Sequence, residues 1–136
     1  MEFSLLFNAT SNLQLGFNGN YTDATLSEDL PPLFIPSGPV TVQLNNGLEG
    51  DVLPYIPKTS WSATADYYIP MSGNWSGNVG AGLGWVDGRP PATSERQAIT
   101  TTTTPPVVVS DTITPPIMLG SYISLDLYAG ISNDQW

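Results

Sequence analysis

The sequence contains neither cysteine nor histidine, and these two absences exclude most of the common catalytic and metal sites. Without cysteine the chain can form no disulfide framework, no thiolate metal site and no cysteine nucleophile. Without histidine it lacks the most common general base and the most common metal ligand. We therefore predict that the protein is not an enzyme and that it holds no cofactor or metal.

Basic residues are also scarce, because only Lys58, Arg89 and Arg96 stand against 12 acidic residues, giving a formal net charge of −9. A surface this acidic repels phosphate backbones, so we expect no nucleic-acid partner. Charged residues make up only 11% of the chain, whereas about 25% is usual in soluble domains. Polarity comes instead from asparagine, serine, threonine and glycine.

Long hydrophobic runs are missing as well. No apolar stretch approaches the ~18 residues that a membrane helix requires, so a helical membrane protein is excluded. The first seven residues contain no basic residue, and their apolar stretch is too short for a secretion signal. With 13 glycines and 13 prolines, the chain is divided into short segments.

The clearest pattern lies in residues 61–86, where apolar and polar residues alternate on both sides of a tight turn. The apolar positions before the turn are Trp61, Ala63, Ala65, Tyr67 and Ile69, and those after it include Trp75, Val79, Ala81, Leu83 and Trp85. A period of two on each side of a turn predicts a β-hairpin with one apolar and one polar face.

Two tryptophans of this hairpin have an informative spacing. Trp75 and Trp85 share one face and lie 10 residues apart, which corresponds to about 33 Å along a strand. In a strand tilted by about 40° this gives roughly 25 Å of height, the thickness of the apolar band between the aromatic girdles of an outer-membrane barrel. The alternative is a long hairpin in a soluble β-sandwich, with the tryptophans packed in a core.

The same alternation predicts five strands along the chain. These cover residues 1–8, 13–22, 59–69, 75–86 and 121–131, separated by short turns and by long loops at 23–57 and 87–120. The first long loop has room for a short strand at residues 40–44. Connections that run short, long, short, long place all turns at one end, as in outer-membrane barrels. We predict an all-β fold, an antiparallel up-and-down meander of about five long strands that forms an open piece of a transmembrane β-barrel.

Four segments also match one barrel family in the correct order. Residues 21–31 resemble a strand that exits into an extracellular loop, and residues 50–58 contain a Pro-x-x-Pro-Lys motif that leads the chain back to the membrane. Residues 65–77 look like the next strand, turn and strand, and residues 121–131 are similar to a late barrel strand. The family is that of the TonB-dependent receptors, the active transporters of the outer membrane.

This resemblance implies a location in the outer membrane of a Gram-negative bacterium. The parent receptor would bind a scarce solute, such as a ferric siderophore, cobalamin or a glycan, and admit it when an inner-membrane motor pulls on a plug domain. The sequence has no counterpart of the plug or of a TonB box, and full barrels of the family have about 22 strands. Residues 1–136 would therefore be a partial barrel whose partners are outer-membrane lipid and the remaining strands and plug, and which is not transport-competent alone.

Acidic residues of the first long loop are candidates for a cation site. Glu28, Asp29, Glu49 and Asp51 offer the oxygen ligands that Ca²⁺ prefers. Their spacing fits no EF-hand, so solvated loop acids are the favoured interpretation. In the second loop, Arg89 and Arg96 are too few to assign an anion site.

Three features of the predicted strands bear on the polar face. Asp66 and Asp126 occupy mid-strand positions that would point into the lumen of a barrel, where they would line a solute path or contact a plug. The glycines of residues 80–84 match a Gly-x-Gly-x-Gly pattern, but no helix follows to make a phosphate site. We expect these glycines to leave room in the lumen. No ligand-binding residue is assigned from the sequence.

Two other classes of protein stay open at this stage. One is a secreted or surface β-sandwich or fibre subunit without enzymatic activity, and the other is a small porin-like protein that oligomerises to complete its barrel. A carbohydrate-active enzyme is least favoured, because Asp66 and Asp126 are nearly all that it could use. The environment of Trp75, Val79 and Leu83 separates the classes, since it is lipid or solvent for a barrel and a packed interior for a sandwich.

Overall fold

The computed structural model describes residues 1–133, and every regular element within them is a β-strand, as predicted. The last residues of the predicted partial barrel, 134–136, lie outside the described part. The strands are β1 (Glu2–Asn8), β2 (Leu13–Tyr21), β3 (Leu33–Ser37), β4 (Val40–Asn46), β5 (Thr59–Pro70), β6 (Trp75–Val86), β7 (Glu95–Thr101), β8 (Val108–Thr114) and β9 (Tyr122–Asn133). Residues 1–133 contain no helix that would serve as a membrane span.

The chain divides into two compact units. The first unit comprises Met1–Thr22, Pro57–Asp87 and the segment that begins at Ser121, whereas the second comprises Asp23–Ile56 and Gly88–Gly120. The second unit is thus built from the two long connections between strands of the first.

The first unit is a five-stranded sheet with the order β1-β2-β5-β6-β9, and all four strand pairs are antiparallel. Neighbours in the sheet follow each other in chain order within the unit, which confirms the up-and-down meander. The predicted strand boundaries agree with the structure to within two residues. Short turns join β1 to β2 and β5 to β6, while both long connections leave the opposite end of the sheet.

The register aligns the alternation of all five strands. In every ladder odd-numbered residues pair with odd-numbered ones, for example Leu15 with Ala65, Ala65 with Ala81 and Ala81 with Leu127. Because a shift by one residue would exchange the two faces of a strand, this register keeps most apolar residues of the five strands on one face, with Leu6 and Val86 on the other. The sheet therefore has one apolar face and one polar face.

The second unit corrects the expectation of two long loops. Residues 23–57 and 87–120 contain β3, β4, β7 and β8, which form an antiparallel four-stranded sheet with the order β3-β4-β7-β8. The short strand expected at residues 40–44 is confirmed as part of β4. Pro36 lies in β3, an edge strand, where a residue without an amide hydrogen is tolerated.

The described residues contain almost no hydrophobic core. Ala98 is the only hydrophobic residue among them that is buried, and none of their large side chains is fully buried. The first unit contains a single sheet, which stays open with β1 and β9 at its edges, so no closed barrel is formed by residues 1–133. Neither face of this sheet is therefore covered by a packed core within residues 1–133.

Candidate functional site: the two faces of the five-stranded sheet

The apolar face of the first unit is exposed over most of its extent. Leu127, at the middle of β9, is 74% exposed. The residues that separate a barrel from a sandwich, Trp75, Val79 and Leu83, are 50%, 41% and 39% exposed. None of the strand residues on this face carries a charge. The face is therefore a continuous uncharged surface and not the inside of a packed core.

Aromatic residues cross this face near the end from which the long connections leave. Ring centroids are 5.5 Å apart for Phe3 and Phe17, 6.0 Å for Phe17 and Trp61, and 6.4 Å for Trp61 and Trp85. These distances lie in the range of favourable aromatic pairs. The four rings make a continuous row over β1, β2, β5 and β6, which we call the aromatic row.

Three more aromatic residues lie on the same face, namely Phe7, Tyr67 and Trp75. The face also carries aliphatic and small residues, which we call the aliphatic band: Leu5, Leu15, Ala63, Ala65, Val79, Ala81, Leu83, Leu125 and Leu127. The register places Phe7 level with Leu15 and Tyr67 level with Val79, whereas Trp75 lies beyond the band toward the short turns. Along β6 the aliphatic band is therefore bounded by Trp85 at one end and by Trp75 at the other.

A lysine lies close to the aromatic row. The Nζ atom of Lys58 is 6.0 Å from the ring centroid of Tyr21, a distance that allows a cation–π interaction. Tyr21 and Lys58 stand at the same end of β2 and β5, because the amide of Thr22 donates to the carbonyl of Lys58 over 2.9 Å. The one lysine of the chain is accordingly placed beyond the aliphatic band.

The polar face carries a groove with a volume of about 630 Å³ that touches all five strands. Ten of its 14 lining residues are even-numbered residues of the polar face, and the other four, Phe3, Gly19, Trp61 and Trp85, each lie between two of these in the same strand, which places the groove on the polar side. The neutral polar side chains along it are those of Ser4, Asn18, Asn20, Ser60, Ser62 and Ser124. This surface, which we call the polar groove, offers hydroxyl and amide groups as both donors and acceptors.

Further along the same face, a tyrosine crosses the sheet over a glycine. The register aligns Asp66 of β5, Gly80 of β6 and Tyr128 of β9, and the Tyr128 hydroxyl donates a hydrogen bond to Asp66 Oδ1. A Cβ atom on Gly80 would overlap the Tyr128 ring. The space that Gly80 leaves is thus occupied by the Tyr128 ring, and the expectation that these glycines leave room in a lumen stays a prediction.

A matched pair of substitutions tests this contact. Gly80→Ala should destabilise the sheet by about 1 kcal/mol relative to Gly82→Ala, because the ring must move and its hydrogen bond to Asp66 is lost. A Cβ atom on Gly82 would lie 3.7 Å from Cβ of Asp126, its partner in β9, which is an ordinary contact distance. Urea unfolding in detergent measures both. In a Tyr128→Ala background the difference should vanish, and a persistent difference would contradict the contact.

The two acidic candidates of the polar face lie on different strands that are not neighbours in the sheet. Asp126 is exposed and stands opposite Gly82, whereas Asp66 lies two strands away and is engaged by Tyr128. The prediction that both carboxylates lie on the polar face is confirmed. Their separation across β6 gives no support to a glycosidase arrangement.

The loop acids of the second unit act within the fold. Asp51 accepts hydrogen bonds from the Leu48 amide at 2.9 Å, the Ser94 amide at 2.8 Å and the Ser94 hydroxyl at 2.7 Å. Partial burial favours a higher pKa for Asp51, but these hydrogen bonds outweigh it and hold the pKa below its usual value. Asp29 accepts from the Glu49 amide at 2.7 Å. Residues 1–133 bring together no group of three or more potential metal ligands, so the calcium hypothesis gains no support.

The arginines of the second unit are not arranged as a pair. Arg96 forms a two-pronged contact with Asp111, with Nε 2.9 Å and Nη2 2.6 Å from the carboxylate oxygens. The hydrogen bond to Arg96 lowers the pKa of Asp111, and the same bond raises the pKa of Arg96. Arg89 pairs through its backbone with Leu119. The structure therefore assigns Arg96 to a contact within the second unit.

Comparison with known proteins adds no neighbour to these observations. No protein-family model, curated protein or solved structure matches the chain. The likeness to TonB-dependent receptors consequently rests on the sequence motifs, and the chemistry of the two faces has to be interpreted by itself.

Two parts of the candidate site were missed in the sequence. Tyr128 falls on the polar face by the alternation of β9, but its contact with Asp66 depends on the alignment of three strands and spans 62 residues. The signal for it is an aromatic residue on a polar face opposite a glycine. The polar groove has a weaker signal, namely the repeated serine and asparagine at the same end of several strands.

Proposed function

We propose that the first unit is a section of the wall of an outer-membrane β-barrel, in a TonB-dependent receptor that takes up a scarce solute. The observation that carries this proposal is the exposed, uncharged apolar face with its aliphatic band and flanking aromatic residues. Apolar surfaces of this extent mark interaction sites with membranes or proteins. Lipid suits the face because aromatic residues on both sides of an aliphatic band match the two interfaces of a bilayer.

The hydrogen bonding of the sheet supports the same proposal. In hydrocarbon an unpaired backbone group costs several kcal/mol, so only closed barrels and helices cross a membrane. Strands β2, β5 and β6 are paired on both sides, and only β1 and β9 each present one open edge. Further strands must cover these edges. The unit is thus a wall component that depends on the rest of a barrel, and transport by it alone is not expected.

The direction of the edge strands favours a larger receptor over a small oligomeric porin. Because five antiparallel strands alternate, β1 and β9 run in the same direction. Pairing β9 of one copy with β1 of the next would be parallel, whereas membrane barrels are antiparallel. Pairing β1 with β1, or β9 with β9, of two copies would be antiparallel, but one copy would then be inverted relative to the other across the membrane. A closed antiparallel barrel therefore needs an odd number of additional strands, which a different stretch of polypeptide can supply.

The sandwich alternative lacks its main requirement among the described residues. A β-sandwich packs the inner faces of two sheets into a common core. Ala98, the one buried hydrophobic residue of residues 1–133, belongs to the second unit, and the apolar face of the first unit stays exposed. We therefore favour the membrane wall.

Depth-dependent fluorescence quenching tests the proposal. We would reconstitute variants that keep only Trp75 or only Trp85, with phenylalanine at the other tryptophans, into liposomes whose lipids are brominated at known depths. Both tryptophans should be quenched best by shallow bromines, because they flank the aliphatic band. A single tryptophan introduced as Leu127→Trp should be quenched best by deep bromines.

A tryptophan on the polar face provides the control. Ser124→Trp lies in the same strand as Leu127 but on the opposite side, so its quenching should be weak and nearly independent of depth. A chain that remains in the aqueous phase, or that shows the same quenching for both positions of β9, would overturn the membrane wall.

A further inference from the structure

The polar face of the first unit is acidic and lacks basic side chains. Its charged strand residues are Glu2, Asp66 and Asp126, and no lysine or arginine lies on it. Lys58, the one basic side chain of this unit, lies near the Tyr21 ring. An anionic solute that approaches the strands of this face therefore meets carboxylates and no basic side chain.

The polar groove has the chemistry of a site for neutral hydroxyl groups. Six of its side chains are serine hydroxyls and asparagine amides, which can each donate and accept a hydrogen bond. The Tyr122 side chain adds an amphipathic ring at the β9 side of the groove. A carboxylate or phosphate accepts hydrogen bonds but donates none when ionised, so it would leave the acceptor half of this surface unused.

The size of the groove also fits a solute of several sugar units. Ligand sites typically occupy about 300 to 1,000 Å³, and the polar groove has a volume of about 630 Å³. It crosses all five strands, so an extended molecule can lie across the sheet and contact each strand in turn. A single small ion would use only a fraction of these groups.

We propose that the polar groove binds an uncharged, polyhydroxylated solute of the oligosaccharide class. This inference rests on the proposed function, because the polar face would then border the solute path of the parent receptor. It selects a neutral glycan among the solutes expected for such a receptor and disfavours an anionic ferric siderophore. The groups that bind it are the serine and asparagine side chains of the groove, and the acidic residues of the face exclude anions.

A pair of sugars with the same backbone, whose carboxyl groups are ionised in one and methyl-esterified in the other, tests the proposal. We would titrate the full chain, refolded in detergent micelles, with tetragalacturonate and with its fully methyl-esterified form, and follow saturation transfer to the sugar protons by NMR. At low ionic strength the neutral ester should bind at least tenfold more tightly than the anionic acid. Equal binding of the two forms, or no binding of the ester, would overturn the proposal.

Two lysine substitutions locate the effect. Ser62→Lys places a cation in the polar groove and should raise the affinity for the anionic form about tenfold, because it compensates the nearby carboxylates. Ser76→Lys adds the same charge to the same face at the other end of the sheet, outside the groove, and should leave both affinities within twofold of the parent chain. Equal effects of the two substitutions would show that net charge and not the groove sets the preference.

A substitution that removes hydrogen bonding completes the test. Asn18→Leu replaces an amide of the groove with a side chain of similar size and should weaken binding of the ester at least fivefold, while Asn78→Leu on the same face outside the groove should not. The outcome is independent of membrane insertion. If the chain inserts into membranes but does not bind the ester, the binding proposal is wrong and the membrane-wall proposal is unaffected. If the chain binds the ester but does not insert, the binding proposal is supported and the membrane-wall proposal is wrong.

Discussion

Leu127→Lys should prevent the chain from partitioning into lipid bilayers. Leu127 pairs with Ala81, midway between Trp75 and Trp85 of the neighbouring strand, and its side chain is 74% exposed on the apolar face. A lysine on the lipid face at the bilayer midplane costs about 2 to 4 kcal/mol. This corresponds to a roughly 30- to 1,000-fold lower partition coefficient, which flotation of refolded protein with liposomes measures directly.

The control substitution lies in the same strand. Ser124→Lys adds an identical charge to the polar face of β9, which would border water in a barrel, so its partition coefficient should stay within a few fold of the parent chain. If the chain were a soluble protein with Leu127 on its surface, Leu127→Lys would improve its solubility, cost little stability and leave its partition into lipid unchanged. Unchanged partition of Leu127→Lys would therefore contradict the membrane wall.

The five-stranded sheet was predictable because its pattern is local. Each strand alternates, short turns join β1 to β2 and β5 to β6, and the up-and-down order pairs the remaining neighbours across the two long connections. The apolar face follows from that alternation once the ladders keep odd residues opposite odd residues. Strand boundaries were the least certain feature, and β9 extends two residues beyond the predicted end at residue 131.

The sheet of the second unit was not predictable, although the short strand at residues 40–44 was, because its other strands lack these local signals. β3 contains Pro36, and β8 joins β7 with an irregular register between Ile99 and Thr100. Their pairing joins residues far apart in sequence, as where Val42 of β4 lies opposite Ile99 of β7. Proline and threonine are common in loops, so composition favoured a loop where long-range pairing forms a sheet.

The candidate site was predictable only at the level of single residues. Alternation alone placed Asp66 and Asp126 on the polar face. The bond from Tyr128 to Asp66 and the polar groove both depend on which strands are neighbours, and the groove requires all five. The Asp51–Ser94 contact joins two different long connections over 43 residues. No local pattern contains such pairings.

Gly47→Ala should open the second unit and thereby test whether residues 23–56 and 88–120 form a folded sheet. Gly47 is buried and has a φ of +124°, and a Cβ atom there would lie 2.9 Å from Leu30 Cδ1 and 3.0 Å from Leu26 Cδ1. Its amide donates to the Ser94 carbonyl over 2.9 Å. Backbone strain and overpacking each cost about 1 to 3 kcal/mol, so we expect a total loss of about 2 to 4 kcal/mol.

Trypsin provides a local measurement of this loss. Arg96 lies within β7, so cleavage after it reports opening of the second unit, and the rate follows the open population when closing is fast. Gly47→Ala should raise that rate roughly 30- to 1,000-fold.

Gly50→Ala separates the strain from the packing. Gly50 also has a positive φ, +87°, but a Cβ atom there would have no neighbour within 4 Å. The substitution should therefore cost only about 1 kcal/mol of backbone strain and raise cleavage about fivefold. Equal rates for the two variants would show that Leu26 and Leu30 do not pack on Gly47. Cleavage of the unsubstituted chain as fast as that of urea-unfolded chain would show that residues 23–56 and 88–120 form no stable sheet, and would restore the two long loops that the composition predicted.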